Sequence, residues 1–350
     1  MKAITVDELE AGMILARTVT NSDFVVILSE NTALTDANIS RLKSLEIPVV
    51  YIKDEFDLSQ NFQQAASTIQ KDAAFKHDFK KVAKIANKVF EELRAGNEIK
   101  AEVTRLAAHV LPMADNPASV NYLFALSHMS TTLALHSERV SIFSGIIAKW
   151  MKFNWEEIRI IVTAAFLHDV GKCEIPEELI GKTAEELSGD DLEIYKTHCQ
   201  KGFDILKQGN FPEAVQTVAL QHHERINGDG FPNGLRGEKI HPFAKIVAVA
   251  DAYDNLTSER EGLIQKTPFD AINHFVSECY SAFDPEVCVP LVTRIKDNLV
   301  GSKIFLNDGR KGTIAFYPKD FSSLPIVVTE DGTEVDLNQR KYLSIAQYSG

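Results

Sequence analysis

Apolar, helix-forming stretches that carry a histidine or an aspartate dominate residues 98–300 of this 350-residue chain. Two of these stretches end in an adjacent polar pair, His168-Asp169 in one and His222-His223 in the other. Burying an imidazole or a carboxylate costs free energy unless the group gains a partner. Helices that pack together can bring such groups into one polar pocket, as they do in the metal sites of helical bundles. The other members of this set are His136, His198 and Asp251.

The donor atoms of this set indicate the kind of metal. All of them are nitrogen or oxygen atoms and no cysteine is among them, so Fe or Mn fits better than a structural zinc. Five further histidines are interpreted as ordinary core residues, because buried polar groups usually find hydrogen-bond partners among their neighbours. These are His77, His109, His128, His241 and His274.

Composition and charge argue against several other classes of protein. Hydrophobic residues make up 45% and charged residues 25% of the chain, as in soluble globular proteins. The net charge of −12, from 37 basic and 49 acidic residues, leaves no basic excess for binding a nucleic acid polymer. The longest apolar run, residues 160–167, is too short to cross a membrane, so no membrane partner is expected. The early acidic residues do not fit a signal peptide, and four cysteines without a CxxC pair favour a reducing, cytoplasmic location.

The pattern along the chain predicts a mainly α protein with a small N-terminal α+β unit and a small C-terminal β appendage. Short strand-like runs flank a helix that Thr35 or Asp36 would cap. Apolar residues then recur every three or four positions until Gly96, which favours a helix stop, and the Asn-Asp-Gly run at 307–309 favours a hairpin turn. The predicted segments are 1–57 for the N-terminal unit, interpreted as a scaffold or regulatory module, 58–115 for connecting helices, 116–300 for the domain with the histidines and 301–350 for the appendage.

Five motifs follow one another between about residues 130 and 295. They are His136-Ser137-Glu138-Arg139-Val140, His168-Asp169-Val170-Gly171-Lys172, Thr197 to Gly202, His222 to Pro232 and Val249 to Ser258. Their order and spacing resemble the HD-GYP family of cyclic dinucleotide phosphodiesterases. The resemblance implies an HD-type helical bundle core as the catalytic domain over 116–300, and hydrolysis of cyclic di-GMP to linear pGpG, to GMP or to both. Cyclic GMP-AMP is the nearest alternative substrate.

The resemblance also implies two divalent metal ions, with Asp169 as the bridge between them. Some members of the family bind a third metal with a carboxylate one helical turn before the first histidine, but Thr132 stands there in this chain, so two are expected. Two cations roughly 3.5–4 Å apart can share a hydroxide and hold it in line with the phosphorus. Glu224 and Asp254 are expected to orient imidazoles, or else are ordinary surface acids. The implied ligands are His136, His168, Asp169, His198, His222, His223 and Asp251.

One lysine is placed to take part in the chemistry beside Asp169. Asn154 and Glu157 predict a capping box for a helix that ends near Gly171. Lys172 would then lie one turn after Asp169, where it could contact a phosphoryl oxygen or protonate the leaving alkoxide. A role at the helix C-terminus, where the dipole favours a cation, is the alternative.

The loop after the His-His pair carries most of the candidate substrate contacts. Residues 225–245 are rich in glycine and have a slight basic excess, which is consistent with an anionic ligand. The family's Gly-Tyr-Pro is Gly-Phe-Pro at 230–232, which keeps a ring for packing or base stacking but lacks the hydroxyl. Downstream, the chain departs from the family's Pro-Tyr-Arg, in a region that the family associates with guanine or phosphate contacts. The expected substrate contacts are Arg225, Phe231 and Arg260.

Other interpretations stay open from the sequence. A non-hydrolytic sensor of cyclic dinucleotides would keep the fold and should lack some ligands, yet none of the seven is missing. A di-iron oxygenase on the same fold would use similar ligands and should consume oxygen. A homodimer, and a protein partner that binds the Gly230-Phe231-Pro232 loop, are also left open.

Overall fold

A computed structural model describes residues 73–115, 132–259 and 266–349, together with separate stretches of the first 53 residues. Those stretches are 2–6, 9–11, 13–15, 19–20, 26–28, 32, 34–45, 47 and 49–53. The chain divides into two compact units, Met1–Ala66 with Gly350 and Ser67–Ser349.

The N-terminal unit is a small α+β fold. Its helix, α1 (Asp36–Ser44), begins with a capping box in which the Thr35 side chain accepts from the Asn38 amide and the Asn38 side chain accepts from the Thr35 amide. Leu15 and Leu42 are fully buried in its apolar core. Its strands are β1 (Lys2–Thr5), β2 (Ile14–Leu15), β3 (Val19–Thr20), β4 (Val26–Leu28) and β5 (Val49–Lys53), of which β1 and β3 were not predicted from the sequence. Strand β5 pairs with β1 and β2, and β3 pairs with β4, all antiparallel.

The second unit is mainly α-helical, in agreement with the prediction. Its described helices are α2 (Ala73–Arg94), α3 (Lys100–Asp115), α4 (Leu133–Trp150), α5 (Trp155–Leu167), α6 (Glu177–Ile180), α7 (Gly189–Gln208), α8 (Glu213–Gln221), α9 (Pro242–Thr257), α10 (Pro268–Glu278) and α11 (Pro285–Leu299). Helix α2 ends before Gly96, whose φ of +75° is the left-handed conformation expected at a helix stop.

Helix α4 lies at the centre of this unit and is buried on nearly all sides. Such a helix must present apolar or paired residues to every neighbour. A Cβ atom at Gly145 would lie 2.8 Å from the Ala114 Cβ and 2.9 Å from a Val162 methyl carbon. Glycine at this position therefore lets α3 and α5 pack directly against α4.

Helix α5 delivers the first polar pair and ends earlier than the sequence predicts. The predicted capping box is present, because Asn154 and Glu157 each accept from the other's backbone amide. The α-helix stops at Leu167 and the chain continues as a 3₁₀ helix over Val170–Glu174. This tighter turn packs its Gly171 against α7, an approach that a regular continuation of α5 would not provide.

The C-terminal residues form an antiparallel five-stranded sheet in the order β10-β6-β7-β8-β9. The Lys296 ammonium on α11 donates to the carbonyls of Phe321 and Ser323 and so joins this sheet region to the helices. None of the described helices combines the length and the apolarity needed to cross a membrane. The strands are β6 (Lys303–Leu306), β7 (Lys311–Phe316), β8 (Ile326–Thr329), β9 (Glu334–Asp336) and β10 (Ile345–Ser349), of which the sequence analysis missed β10.

Candidate metal centre

Five helical segments bring all seven predicted ligands into one buried cluster. Helix α4 supplies His136 from its first turn, α7 supplies His198 from its interior, and α9 supplies Asp251. The two adjacent pairs come from the residues that directly follow α5 and α8. None of these seven residues is more than 7% exposed, so the cluster is buried away from bulk water. They are His136, His168, Asp169, His198, His222, His223 and Asp251.

The donor atoms fall into two groups, each compact enough to surround one ion. Within each group, the ligand atoms all lie within 4.8 Å of one another. The first group is His136, His168 and Asp251, and the second is Asp169, His198, His222 and His223.

Asp169 lies between the two groups. Its Oδ2 atom is 3.4 Å from the Nε2 of His168 and 3.5 Å from the Nε2 of His136. Its Oδ1 atom is 3.3 Å from the Nε2 of His198 and 3.5 Å from the Nε2 of His222. One carboxylate oxygen therefore faces each group, which is the arrangement that a bridging ligand needs.

Four imidazoles are turned so that Nε2 points into the cluster, because Nδ1 is already engaged. For three of them Nδ1 donates to a carbonyl one turn earlier on the same helical segment, an arrangement that fixes both ring orientation and tautomer. The pairs are His168 with Ala165 (2.6 Å), His198 with Tyr195 (2.5 Å) and His222 with Ala219 (3.0 Å). The fourth is His136, whose Nδ1 lies 2.8 Å from the Asp254 Oδ2.

The electrostatics of the cluster favour a cation. Burial lowers the pKa of His222 to about 4 and that of His223 well below its usual value, so these imidazoles are neutral and keep a lone pair for a metal. Burial also disfavours the charged form of His136, but the surrounding carboxylates outweigh it and raise the pKa of His136 to about 10. The first group thus binds a proton tightly in a place where a divalent cation could replace it.

Two orphaned nitrogen atoms test whether these residues fit a metal. The Nε2 atoms of His168 and His223 are buried and have no hydrogen-bond partner among the described residues. A buried polar atom left without a partner is costly, and an ion bound by these lone pairs would remove that cost. Together with the nitrogen and oxygen donors and the two carboxylates, this shows that the residues fit two divalent cations.

Asp254 supports the first group from behind and is itself held by an arginine. Its Oδ1 accepts from Arg139 Nε at 2.6 Å, and its Oδ2 accepts from Arg139 Nη2 at 3.0 Å. The arginine fixes the carboxylate that orients the His136 ring, and it holds the pKa of Asp254 below its usual range against the effect of burial. The sequence analysis assigned no role to Arg139, although the spacing of three residues from His136 already puts both on one helix face.

Lys172 lies beside the bridging carboxylate, as the sequence analysis expects. Its Nζ atom is 2.7 Å from the Asp169 Oδ2, and the residue is only 6% exposed. The 3₁₀ turn, rather than a continued α-helix, places it there. The structure thus holds a buried ammonium against the carboxylate that faces both ligand groups.

Glu224 and the loop that follows are arranged differently from the expectation. Both Glu224 carboxylate oxygens accept from loop amides, those of Asn233 and Leu235, each at 2.8 Å. Glu224 therefore secures the loop, whereas its expected role was to orient an imidazole. Arg225 is also tied down locally, since its Nη1 donates to the carbonyls of His222 and Glu224.

The ring of Phe231 covers the second group. It stacks on His223 with a centroid distance of 4.6 Å and an interplanar angle of 30°. The ring of Tyr195, which the sequence analysis did not single out, lies 4.8 Å from that of His198 on the same side. Arg260, the third expected substrate contact, lies outside the described residues.

Comparisons with known proteins identify relatives of the helical unit. Residues 124–287 match the sequence model of the HD domain family. The chain is 38% identical over 159 residues to the cyclic di-GMP phosphodiesterase response regulator RpfG of Xanthomonas campestris pv. campestris, a match that covers 45% of this chain and 42% of RpfG. It is 30% identical over 142 residues to the 3'3'-cGAMP-specific phosphodiesterase 2 of Vibrio cholerae, covering 40% of this chain and 27% of that protein. The chain thus spans less than half the length of each of these relatives.

A solved structure shares the fold over most of the chain. The HDG"Y"P protein Bd1817 from Bdellovibrio bacteriovorus superimposes with a TM-score of 0.53 at 22% sequence identity. The match covers 85% of this chain and 99% of that protein. At this level of identity the likeness shows a common fold.

Proposed function

We propose that this chain, whose residues 124–287 belong to the HD domain family, is a metal-dependent phosphodiesterase that hydrolyses a cyclic dinucleotide. The observation that carries the proposal is Asp169, which directs one oxygen to each of two buried ligand groups. A carboxylate shared in this way suits a site with two cations, and such sites catalyse in-line displacement at phosphorus. The favoured substrate is cyclic di-GMP, cleaved to linear pGpG, to GMP or to both.

The residues of the chain have distinct parts in this reaction. When bound, two divalent cations, Fe or Mn by the donor set, would supply Lewis acidity toward the phosphodiester and toward the attacking water. The seven predicted ligands would hold the cations, and their burial would keep bulk water from screening the charges. Lys172 donates to a phosphoryl oxygen, or gives its proton to the leaving ribose oxygen.

The choice of substrate rests on the relatives and on the loop. RpfG is named for cyclic di-GMP and the Vibrio cholerae protein for 3'3'-cGAMP, so cyclic GMP-AMP is the competing substrate. Phe231 offers a ring on which a base can stack, and Arg225 and Arg260 offer guanidinium groups to a base or phosphate. A ring contact of this kind accepts either purine, which leaves discrimination to polar contacts.

The test is a direct assay of the purified chain. The protein is purified without oxygen, its metal content is measured, and it is incubated with cyclic di-GMP and with cyclic GMP-AMP, with products identified by mass spectrometry. Bound metal and a linear dinucleotide or mononucleotide product from either substrate are expected, with faster turnover of cyclic di-GMP. Asp169→Asn serves as the matched inactive control.

Two other results would contradict the proposal. Bound metal and tight nucleotide binding without product would identify a sensor in place of an enzyme. Oxygen consumption with an organic substrate, and no product from either dinucleotide, would identify an oxygenase.

A further inference from the structure

Tyr195 is a buried tyrosine of the site that has no part in the ligand set. It lies on α7, one turn before His198, and is 1% exposed. Its backbone carbonyl accepts from the His198 imidazole, and its ring packs at 4.8 Å from the His198 ring. The same residue therefore contacts a metal ligand through both its main chain and its side chain.

The side chain of Tyr195 also contacts Lys172. The Lys172 Nζ atom lies 5.0 Å from the centre of the Tyr195 ring, which is within the range of a cation–π contact. On its other side the same ammonium is 2.7 Å from the Asp169 Oδ2. An ammonium has three N–H donors, so two such partners leave one donor for another acceptor.

A second partner matters because lysine is flexible. Its four-carbon stem has about 2 kcal/mol of rotamer entropy, and the ammonium behaves as a point charge without the fixed geometry of a guanidinium. The contact with Asp169 alone leaves the ammonium free to rotate about that carboxylate. The face of the Tyr195 ring attracts the ammonium from its other side and so restricts this rotation.

We propose that Tyr195 is a positioning residue that holds the Lys172 ammonium beside Asp169, with one N–H directed to the phosphate group of the substrate. The catalytic consequence rests on the proposed phosphodiesterase function. The contact itself does not, so the two can be tested separately.

The first experiment is a double-mutant cycle on the metal-loaded full chain, with Tyr195→Leu, Lys172→Met and the double variant. Tyr195→Leu removes the ring that faces the ammonium. It should lower kcat about 10-fold with KM changed less than about 2-fold, the size expected for a buried cation–π contact. Tyr195→Phe keeps the ring and should recover most of this loss. Lys172→Met should lower kcat by about 100-fold or more. The double variant should be no slower than Lys172→Met within about 2-fold, because the ring acts only through the lysine.

Tyr317→Leu is the matched control for this cycle. Tyr317 also has a lysine beside its ring, since the Lys296 Nζ lies 5.3 Å from the ring centre, but it belongs to the C-terminal sheet region. Its kcat, KM and metal content should equal those of the unmodified chain.

The second experiment does not require turnover. Reductive methylation of the metal-loaded chain is followed by mass spectrometry at Lys172 and at the exposed Lys152. Tyr195→Leu should raise the methylation rate of Lys172 severalfold and leave that of Lys152 unchanged, because the Lys172 ammonium is less tightly held.

The outcomes separate the two proposals. Unchanged kcat and unchanged Lys172 methylation in Tyr195→Leu would overturn the positioning role, and so would a loss of kcat in Tyr195→Phe as large as that in Tyr195→Leu. So would a double variant whose loss equals the product of the two single losses. A chain that hydrolyses no cyclic dinucleotide, yet shows the faster methylation, would overturn the proposed function and leave the positioning of Lys172 supported.

Discussion

Two aspartates of the helical unit are both almost completely buried, yet their surroundings give them different tasks. The oxygens of Asp169 face the Nε2 atoms of four histidines and the ammonium of Lys172. Those of Asp254 are taken up by the guanidinium of Arg139 and the Nδ1 of His136. A carboxylate that faces lone pairs is available to a cation, whereas one that already accepts from a guanidinium serves to hold its neighbours.

Asp169→Asn should abolish binding at both ligand groups. The amide has one oxygen in place of two, so it cannot serve both groups as the carboxylate does. The measurement is metal per chain after equilibration with Mn²⁺, together with product formation, which should fall to background. Asp251→Asn is the matched variant, and it should lose metal from the first group while retaining it in the second. Equal metal content in Asp169→Asn and the unmodified chain would contradict the bridging role.

Asp254→Asn should weaken both the fold and the first ligand group. Removing the charge that neutralises buried Arg139 leaves an uncompensated guanidinium, which costs about 3–5 kcal/mol in the free energy of unfolding. Loss of the partner of His136 should weaken metal affinity about 10–100-fold. Urea unfolding and metal titration measure the two effects.

A paired substitution checks the cause of this loss. Arg139→Met combined with Asp254→Asn removes the buried charge as well and should recover much of the stability, but not the metal affinity. If both variants unfold at the same urea concentration as the unmodified chain, the ion pair has no structural importance.

At the scale of elements, the first ligand group depends on two helices that repeat the same spacing. Helix α4 places His136 and Arg139 three residues apart, and α9 places Asp251 and Asp254 three residues apart. Residues with this spacing lie on one face of a helix, so packing of α4 on α9 brings His136 and Arg139 against Asp251 and Asp254. The register between the two helices thus decides the geometry of the polar contacts among these four residues.

The second ligand group depends on a close contact between the 3₁₀ helix and α7. A Cβ atom at Gly171 would lie 2.0 Å from the His198 carbonyl oxygen and 2.5 Å from the Gly202 amide nitrogen. These are backbone atoms, so the strain cannot be relieved by a side-chain rotation. Glycine at 171 therefore allows Asp169 and His198 to come within ligand distance of one ion.

Gly171→Ala should separate these two elements. We expect at least about 1–3 kcal/mol of destabilisation from overpacking, and loss of metal from the second group. Gly181→Ala is the matched control, because its backbone is right-handed and a Cβ atom there would meet no atom within 4 Å. Its stability and metal content should be close to those of the unmodified chain. Equal behaviour of the two variants in thermal unfolding and metal analysis would contradict the close-contact argument.

At the scale of the whole molecule, metal should stabilise one of the two units. The ligands come from five helical segments of the second unit, so a bound ion links them in the folded state only. Binding to the native state alone adds about 4 kcal/mol at a free metal concentration of 1,000 times Kd. Calorimetry should show the transition of residues 67–349 moving to higher temperature with Mn²⁺ and returning with a chelator, while that of the N-terminal unit stays in place. The same scan of Asp169→Asn should show no such shift, and a shift of equal size there would contradict the assignment.

The sequence by itself predicted which residues gather at the site. The resemblance of its motifs to the HD-GYP family implied the seven ligands, a bridging Asp169 and a nearby Lys172, and the structure brings these side chains into one cluster. Helix boundaries followed from local signals, such as the Asn154 and Glu157 capping box and Gly96, because caps and stops depend on residues only a few positions apart. Strands β1, β3 and β10 were missed. The partners of β1 and β10 are distant in the chain, and strand propensity depends on that context, whereas β3 is only two residues long.

Only the tertiary structure decided which groups face which. The bond of Arg139 to Asp254 spans 115 residues, and the contact of Gly171 with α7 depends on where the chain leaves α5 for a 3₁₀ turn. Glu224 could reach an imidazole or a loop amide from its position in the sequence, and the folded loop selected the amides of Asn233 and Leu235. Tyr195 carries no sequence signal beyond its spacing of three from His198. The physical reason is common to these cases: a buried polar group takes the partner that packing brings to it, and packing joins residues that the sequence keeps far apart.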